Sequence, residues 1–187
     1  MSIKSIRTGW TGISALAGNP VLGDFESIET ASGTGSSGVV TFNNIPSTFQ
    51  HLQIRWISKS TNTGSYNWLN FNGDTTALYA NHYMYGDGAS TFAGVDANAA
   101  RVNLYGSSVT SSQTNTFASH TIDILDYRNT DKFKTVRAFG GQDSNGSGVI
   151  FLSSGLWRST TAISSITITA NSDNFNSNSR FALYGIR

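Results

Sequence analysis

The chain has 187 residues, of which 12 % are charged, and its formal net charge is +1. This length suits one domain with a core of its own, and such thin charge does not favour nucleic-acid binding, which needs clustered lysine and arginine. Cysteine is absent, which excludes disulfides and thiolate metal sites, and no apolar run approaches the ~20 residues of a membrane span.

The kinds of polar residue predict an all-β protein. Straight-chain charged residues, which favour exposed helix faces, are scarce, and the only glutamates are Glu26 and Glu29. Serine, threonine, asparagine and glycine are abundant, and they favour turns that join strands. Aromatic residues make up 12 % of the chain, which is too many for a disordered segment.

Residues 1–23 form the first predicted unit, an N-terminal arm. Glycine and Pro20 interrupt any long regular element there, while Trp10, Leu16 and Leu22 are spaced apolar residues. Two interpretations stay open: the segment packs on its own domain, or it extends along a neighbouring subunit. In the second interpretation Arg7, Trp10 and Leu16 contact the partner, because tryptophan is a frequent anchor of interfaces.

Residues 24–187 form the second predicted unit, an antiparallel β-sandwich of about nine or ten strands. Leu52, Ile54 and Trp56 alternate with polar residues, which is typical of a half-buried strand. Asn145-Gly146 predicts a tight hairpin turn. Eleven segments carry such signals, slightly more than the expected number of strands, and in chain order they are Phe25–Thr30, Val39–Phe42, His51–Trp56, Trp68–Phe71, His82–Tyr85, Arg101–Tyr105, Phe117–Tyr127, Phe133–Phe139, Val149–Trp157, Ile163–Thr169 and Arg180–Arg187.

Residues for catalysis or metal binding are few, so the sequence predicts no enzyme, no metal and no cofactor. Glu26 and Glu29 are three apart in one strand, which points them to opposite faces. Asp123 and Asp126 have the same spacing at a hairpin end, where a turn role explains them better than glycoside hydrolysis. The calcium-like run 143–147 lacks the glutamate that completes such a loop.

One aromatic cluster is a candidate ligand patch. Tyr66, Trp68 and Tyr83 lie close in sequence to one another and to Asp87, and sugar-binding surfaces combine aromatic rings with carboxylates and amides. The same rings could instead fill the core or a subunit interface. The solvent exposure of the rings distinguishes the two interpretations.

Several short strings together resemble a group of small structural proteins from tailed bacteriophages. Their order and spacing extend over residues 24–187, and they are Phe25–Ile28, Ile45–Arg55, Phe71–Asp74, Ile122–Tyr127, Ser154–Trp157 and Phe181–Ile186. The resemblance implies a β-sandwich or jelly-roll body and a role in the virion, with no catalytic motif.

The resemblance makes a capsid decoration (cement) protein the leading hypothesis. The expected partner is the major capsid protein or another virion protein, in a virion assembled in the host cytoplasm, and a homotrimer is the favoured assembly. Neither nucleic acid nor a membrane is an expected partner. The alternative hypothesis is a carbohydrate- or receptor-binding module of a tail fibre or other appendage.

Overall fold

The structure, a computed structural model, describes residues 24–62, 66–105, 109, 112 and 114–187. Within these residues the chain forms twelve strands and no helix, and it therefore offers no helix that could cross a membrane. The strands are β1 Phe25–Ser32, β2 Val39–Phe42, β3 His51–Ser58, β4 Tyr66–Phe71, β5 Tyr79–Gly86, β6 Thr91–Ala99, β7 Val102–Tyr105, β8 Ala118–Leu125, β9 Lys134–Asp143, β10 Gly148–Trp157, β11 Ile166–Ala170 and β12 Arg180–Ile186.

The strands form two antiparallel sheets, which confirms the predicted all-β class. The large sheet has eight strands in the order β1-β12-β3-β8-β9-β10-β5-β6, and the small sheet has four in the order β2-β11-β4-β7. Alternate residues of each central strand are buried, as in β3, where Leu52, Ile54 and Trp56 face the core. Side chains of alternate residues point to opposite faces of a sheet, so this pattern places the core between the two sheets.

The strand pairs are nested in sequence. β5 pairs with β6, β4 with β7, β2 with β11, and β1 with β12. By the same nesting β3 would pair with β10. Instead the hairpin β8–β9 lies between them, with β8 paired to β3 and β9 paired to β10. The successive levels alternate between the large and the small sheet, so the chain is a long antiparallel ribbon folded over on itself.

The core is apolar and continuous across both sheets. Phe42, Leu69, Phe71, Ile166 and Ile168 of the small sheet are fully buried. They pack in one cluster with residues of the large sheet, which include Leu52, Ile54, Ile122, Ile124 and Leu183. Each such side chain contributes about 1.5–3 kcal/mol through burial, which is why the two sheets stay together.

The small sheet covers only part of the large one, and the segment 171–179 covers another part. Phe175 in this segment is buried and packs edge-on against Phe181 of β12, with ring centroids 4.8 Å apart. Its backbone is held on both sides: Phe175 N donates to Ser37 O at 2.9 Å, and Asn176 N donates to Lys59 O at 2.8 Å. Segment 171–179 therefore covers the inner face of the large sheet at β12.

A buried lysine holds the turn of the β8–β9 hairpin. The Lys134 side chain is fully buried, and its Nζ donates to three backbone carbonyls, those of Asn129, Lys132 and Thr160. Burial lowers the pKa of this ammonium group. Asp126 at the same turn forms an ion pair with Lys132, as the turn interpretation of this acid predicts.

The number of strands differs from the prediction. The sequence predicts about nine or ten strands, whereas the described part of the chain forms twelve. Eleven of the twelve strands overlap a segment that carries strand signals in the sequence, and the exception is β6, whose residues are mostly small and all at least partly exposed. The Asn145-Gly146 turn is confirmed: both residues have positive φ, 57° and 101°, as a tight hairpin turn requires.

Asp74, in the turn after β4, links the two sheets. Its carboxylate accepts hydrogen bonds from Trp157 Nε1 of β10 at 2.7 Å and from Thr76 N at 2.8 Å. Its backbone carbonyl accepts from Tyr79 Oη at 3.0 Å. Burial opposes ionisation of Asp74, but hydrogen bonds from Thr76 and Trp157 outweigh it and hold the pKa below its usual value of 3.8.

Replacing Asp74 should destabilise the sandwich. Asp74→Ala leaves the indole N–H of Trp157 without its acceptor, so the free energy of unfolding should fall by about 1–3 kcal/mol at neutral pH. Because the folded-state pKa is lowered, the contribution is present above the ordinary value of 3.8 and is lost as the pH falls through the folded-state value. Urea unfolding of the wild type and the variant at several pH values measures both effects.

Asp131→Ala is the matched control, because Asp131 is exposed and no described side-chain hydrogen bond or ion pair involves its carboxylate. The assignment to Asp74 would be wrong if both variants lost the same stability, or if the Asp74 effect did not shrink in acid.

Candidate interaction surfaces

The first surface is the outer face of the large sheet, which carries an apolar row. Phe139 of β9 lies opposite Leu152 of β10, Leu152 lies opposite Met84 of β5, and Met84 lies opposite Ala93 of β6. These four residues are what we call the apolar row. Phe139, Leu152 and Met84 are 55 %, 52 % and 53 % exposed.

Two further apolar side chains extend the row on the same face. Ile150 and Val95 are each 58 % exposed. Each lies two residues from a member of the row on its own strand, Leu152 and Ala93, and therefore points to the same outer face. An antiparallel sheet with one face on the core normally presents polar residues on the other face. Large exposed apolar patches are typical of interaction surfaces.

The outer face is concave next to the row. A groove of about 1380 Å³ lies over strands β3, β8, β9 and β12, with Phe139, Ile150 and Ile57 among its lining. Arg55 and Arg180 stand on its far side, and no described carboxylate lies within ion-pair distance of either. Arg55 lies over the ring of Phe25, 5.1 Å from its centroid.

The second surface is an aromatic strip on the inner face of the β5–β6 hairpin, opposite the face that carries the apolar row. The rings follow one another in space, with centroid separations of 6.0, 5.4, 4.0, 6.4 and 4.7 Å, in the order Trp68, Tyr66, Tyr105, Tyr83, Tyr85 and Phe92. Trp68, Tyr66 and Tyr105 belong to the small sheet, and the other three belong to the β5–β6 hairpin of the large sheet. The aromatic strip therefore packs the β5–β6 hairpin of the large sheet against β7, the edge strand of the small sheet.

Polar groups reinforce the aromatic strip. The carboxylate of Asp96 on β6 accepts hydrogen bonds from Tyr105 Oη at 3.1 Å and from Asn103 Nδ2 at 3.0 Å. Burial and the nearby Asp96 charge raise the pKa of Tyr105 to about 12, so its hydroxyl stays a donor at all physiological pH values. The Arg101 guanidinium lies 3.9 Å from the centroid of Trp68, an arrangement that favours a cation–π contact.

The structure brings together three of the four residues predicted for the ligand patch. Tyr66 and Tyr83 both contact Tyr105, and Tyr66 contacts Trp68. All three predicted rings are half-buried, because they pack on one another. A shallow pocket of about 590 Å³ lies beside them, lined by Asp96, Arg101 and Asn103 among others.

Asp87, the fourth residue, serves its own turn. Its carboxylate accepts hydrogen bonds from Ser90 N at 2.7 Å and from Ala89 N at 3.0 Å, and these bonds lower its pKa. It lines the groove on the outer face and makes no described contact with the strip. Its fixed role in the β5–β6 turn explains why a carboxylate close in sequence to the rings is not part of their surface.

Sequence reasoning missed Tyr105, Arg101 and Asp96 as members of the strip. The sequence predicts a strand at Arg101–Tyr105, but the register of this strand against β4, which sets Tyr105 opposite Tyr66, is a long-range feature. Asp96 lies on the strand that the sequence does not predict. The abundance of aromatic residues near Tyr66 was the only local signal.

The proposed partner contacts Arg7, Trp10 and Leu16 lie outside the described residues. Among the described residues, no group of three or more histidine, aspartate or glutamate side chains is placed to hold a metal ion. Comparison with known proteins finds no family model that matches the chain and no matching curated protein.

Gly94 is a sensitive position of the aromatic strip. The ring of Tyr83 lies directly on Gly94, so a Cβ there would collide with the phenol. Gly94→Ala should push Tyr83 away from Tyr105 and lower the free energy of unfolding by about 1–3 kcal/mol, as overpacking does. Chemical unfolding measures the loss, and near-ultraviolet circular dichroism reports the displaced tyrosines.

The control is the same substitution in a Tyr83→Ala background. Once the ring is absent, Gly94→Ala should cost much less, since the collision is gone. Equal costs in the two backgrounds would show that Gly94 acts through the backbone of β6 and not through Tyr83.

Proposed function

We propose that this protein is a structural protein of a tailed-phage virion and that it decorates the capsid shell. The observation that carries the proposal is the apolar row on the outer face of the large sheet, where Phe139, Leu152 and Met84 are each more than half exposed. Such a surface costs solubility unless another protein covers it. The scarcity of catalytic groups and the resemblance to phage structural proteins support the same role.

The body of the proposed decoration protein is a jelly roll with an inserted hairpin. In a jelly roll an antiparallel ribbon wraps into two sheets. The nested pairs β5–β6, β4–β7, β2–β11 and β1–β12 support this assignment, since they alternate between the two sheets. The hairpin β8–β9 is the insertion, and it widens the large sheet by two strands between β3 and β10.

The proposed partner is the major capsid protein or another virion protein. Residues 1–23 attach the protein to the shell, with Arg7, Trp10 and Leu16 as contacts, and the apolar row adds a second contact. Arg55 and Arg180 beside the groove suit a partner surface that combines apolar side chains with carboxylates. The protein acts as a homotrimer in the virion, which assembles in the host cytoplasm.

The attachment surfaces can be tested on particles. Leu152→Lys places a charge in the apolar row, and losing one large apolar contact of about 1.5–3 kcal/mol should reduce occupancy of the shell about tenfold or more. Deleting residues 1–23 should abolish incorporation. Quantitative electrophoresis of purified particles measures occupancy, and thermal melting checks that each variant is folded.

Val39→Lys is the control, because Val39 is 49 % exposed on the small sheet, away from the row. It should leave occupancy unchanged. Normal occupancy of both folded test variants would reject the proposal that these surfaces attach the protein.

A second candidate function is carbohydrate or receptor binding by a tail fibre or other appendage. The observation that favours it is the position of Arg101, Asp96 and Asn103 in a pocket beside the ring of Trp68. Polar groups next to an aromatic ring are the elements of a sugar site. The half-buried state of the rings favours the first proposal, because a stacking platform needs an open ring face.

A glycan array that includes bacterial surface oligosaccharides tests this candidate. A sugar-binding protein should bind at least one glycan, and Trp68→Ala should reduce that binding about two- to tenfold, since stacking on an aromatic ring contributes about 0.5–1.5 kcal/mol. Phe133→Ala, which removes an exposed ring elsewhere, should have no effect. Absence of binding at high protein concentration would eliminate this candidate.

A further inference from the structure

Each sheet has two edge strands, and their unpaired backbone groups can pair with another chain. β1 and β6 are the edges of the large sheet, and β2 and β7 are the edges of the small sheet. Proteins protect such edges with short strands, charges, bulges or covering segments. The four edges of this fold differ in how well they are protected.

Three edges carry recognisable protection. β1 has a register irregularity between Ser27 and Glu29 and two glutamates within its length. β2 and β7 are only 4 residues long each. β7 is also overlapped by the β5–β6 hairpin, through the hydrogen bond from Asn103 to Asp96.

β6 is the exception, since the described residues give its first half none of these features. The strand is 9 residues long, and the segment from Thr91 to Val95 contains no charge and no proline. This segment pairs with β5 in regular register. The irregularity of β6 comes later, around Asn98, whose φ is +54°. Phe92 and Val95 are 44 % and 58 % exposed on the unprotected segment.

We propose that two copies of this chain pair through β6, antiparallel and around a two-fold axis at Ala93. In this register Ala93 lies opposite Ala93 of the second copy, Thr91 lies opposite Val95, and Phe92 lies opposite Gly94. Residues that lie opposite each other in an antiparallel pair point to the same face of the sheet. The register meets this condition, because the two residues of each pair are an even number of positions apart in β6. Asp96 and the bulge stay outside the paired segment.

The outer face of the sheet supports a second copy as the occupant. The apolar row runs across β9, β10 and β5 and ends at Ala93 on the β6 edge. Two-fold pairing at Ala93 joins the rows of the two copies into one continuous row across both sheets. No like charges meet, because the paired segment has none and Asp96 is engaged by Tyr105 and Asn103.

The contact is a weak one by itself. A stable dimer interface buries about 800 Å² on each partner, and pairing of a short edge segment covers less than that. We therefore expect a dissociation constant in the range of about 10 µM to 1 mM. The inference does not rest on the proposed attachment to a shell, and it names a contact that the proposed trimer does not need.

A cysteine at the axis gives a direct test in the full chain, which has no cysteine of its own. Residues that lie directly opposite in an antiparallel pair have Cα atoms about 4.5–5.5 Å apart, within reach of a disulfide. Ala93→Cys should therefore form a disulfide-linked dimer under mild oxidation. Thr30→Cys on β1 and Thr41→Cys on β2 are matched controls, because both residues are exposed on other edge strands. Cross-linking of Ala93→Cys at the rate of these controls would overturn the proposal.

Charges at the axis provide an independent test. Ala93→Lys and Ala93→Glu each place like charges opposite each other, so each variant alone should sediment as a monomer where the wild type sediments as a dimer. An equimolar mixture of the two should recover the dimer, which a merely destabilised fold would not do. Thermal melting should be unchanged for both, since Ala93 is exposed.

Sedimentation also separates this inference from the proposed function. If the wild type sedimented as a trimer and the Ala93→Cys variant formed no more cross-link than its controls, the two-fold contact would be overturned and the virion proposal would stand. Cross-linking of Ala93→Cys above its controls, together with no incorporation of the wild type into particles, would support the two-fold contact and overturn the virion proposal.

Discussion

Four strands cannot cover eight, and much of this structure follows from that mismatch. With strands about 4.8 Å apart, the large sheet is roughly twice as wide as the small sheet that packs on it. The inner face that remains would expose Trp56, Phe181 and Phe151, which are nearly fully buried in the fold. Loop 171–179 covers this region at one side through Phe175, and the aromatic strip closes the other side. A sandwich of two equally wide sheets would need neither loop 171–179 nor the aromatic strip to cover its core.

The outer face of the large sheet has no such cover among the described residues. Its width gives room for a concave surface, and the alternation of β9, β10 and β5 places apolar side chains on it as well as on the core side. A strand with apolar residues on both faces is usual in a sheet that is covered twice. The outer side of the large sheet thus carries large apolar side chains among polar ones such as Thr135 and Arg137 of β9, and the proposed role in assembly rests on these apolar side chains.

The sequence predicts the class of fold because the signals are local, and it fails where they are not. Leu52, Ile54 and Trp56 alternate, so β3 and its inward face could be predicted, and Asn145-Gly146 fixes its turn through backbone conformation alone. Ile150, Phe151 and Leu152 are all apolar, so the sequence does not reveal which of them face outward. The meeting of Tyr66, Tyr83 and Tyr105 depends on the pairing of β4 with β7 and on the packing of β7 against β5 of the other sheet, which no local pattern contains. β6 was missed for the opposite reason, since an exposed edge strand has little apolar alternation.

The nested order of strand pairs has a consequence for how the chain reaches this structure. The outermost pair joins β1 to β12, so one of the first strands to leave the ribosome has its partner near the last described residues. Contacts this far apart in sequence make folding slow, because a large loop must close before they can form. Until β12 inserts between β1 and β3, both of these strands keep open sides in a nascent chain. Synthesis at high copy number would then make the yield of folded protein depend on the competition between insertion of β12 and association of incomplete chains.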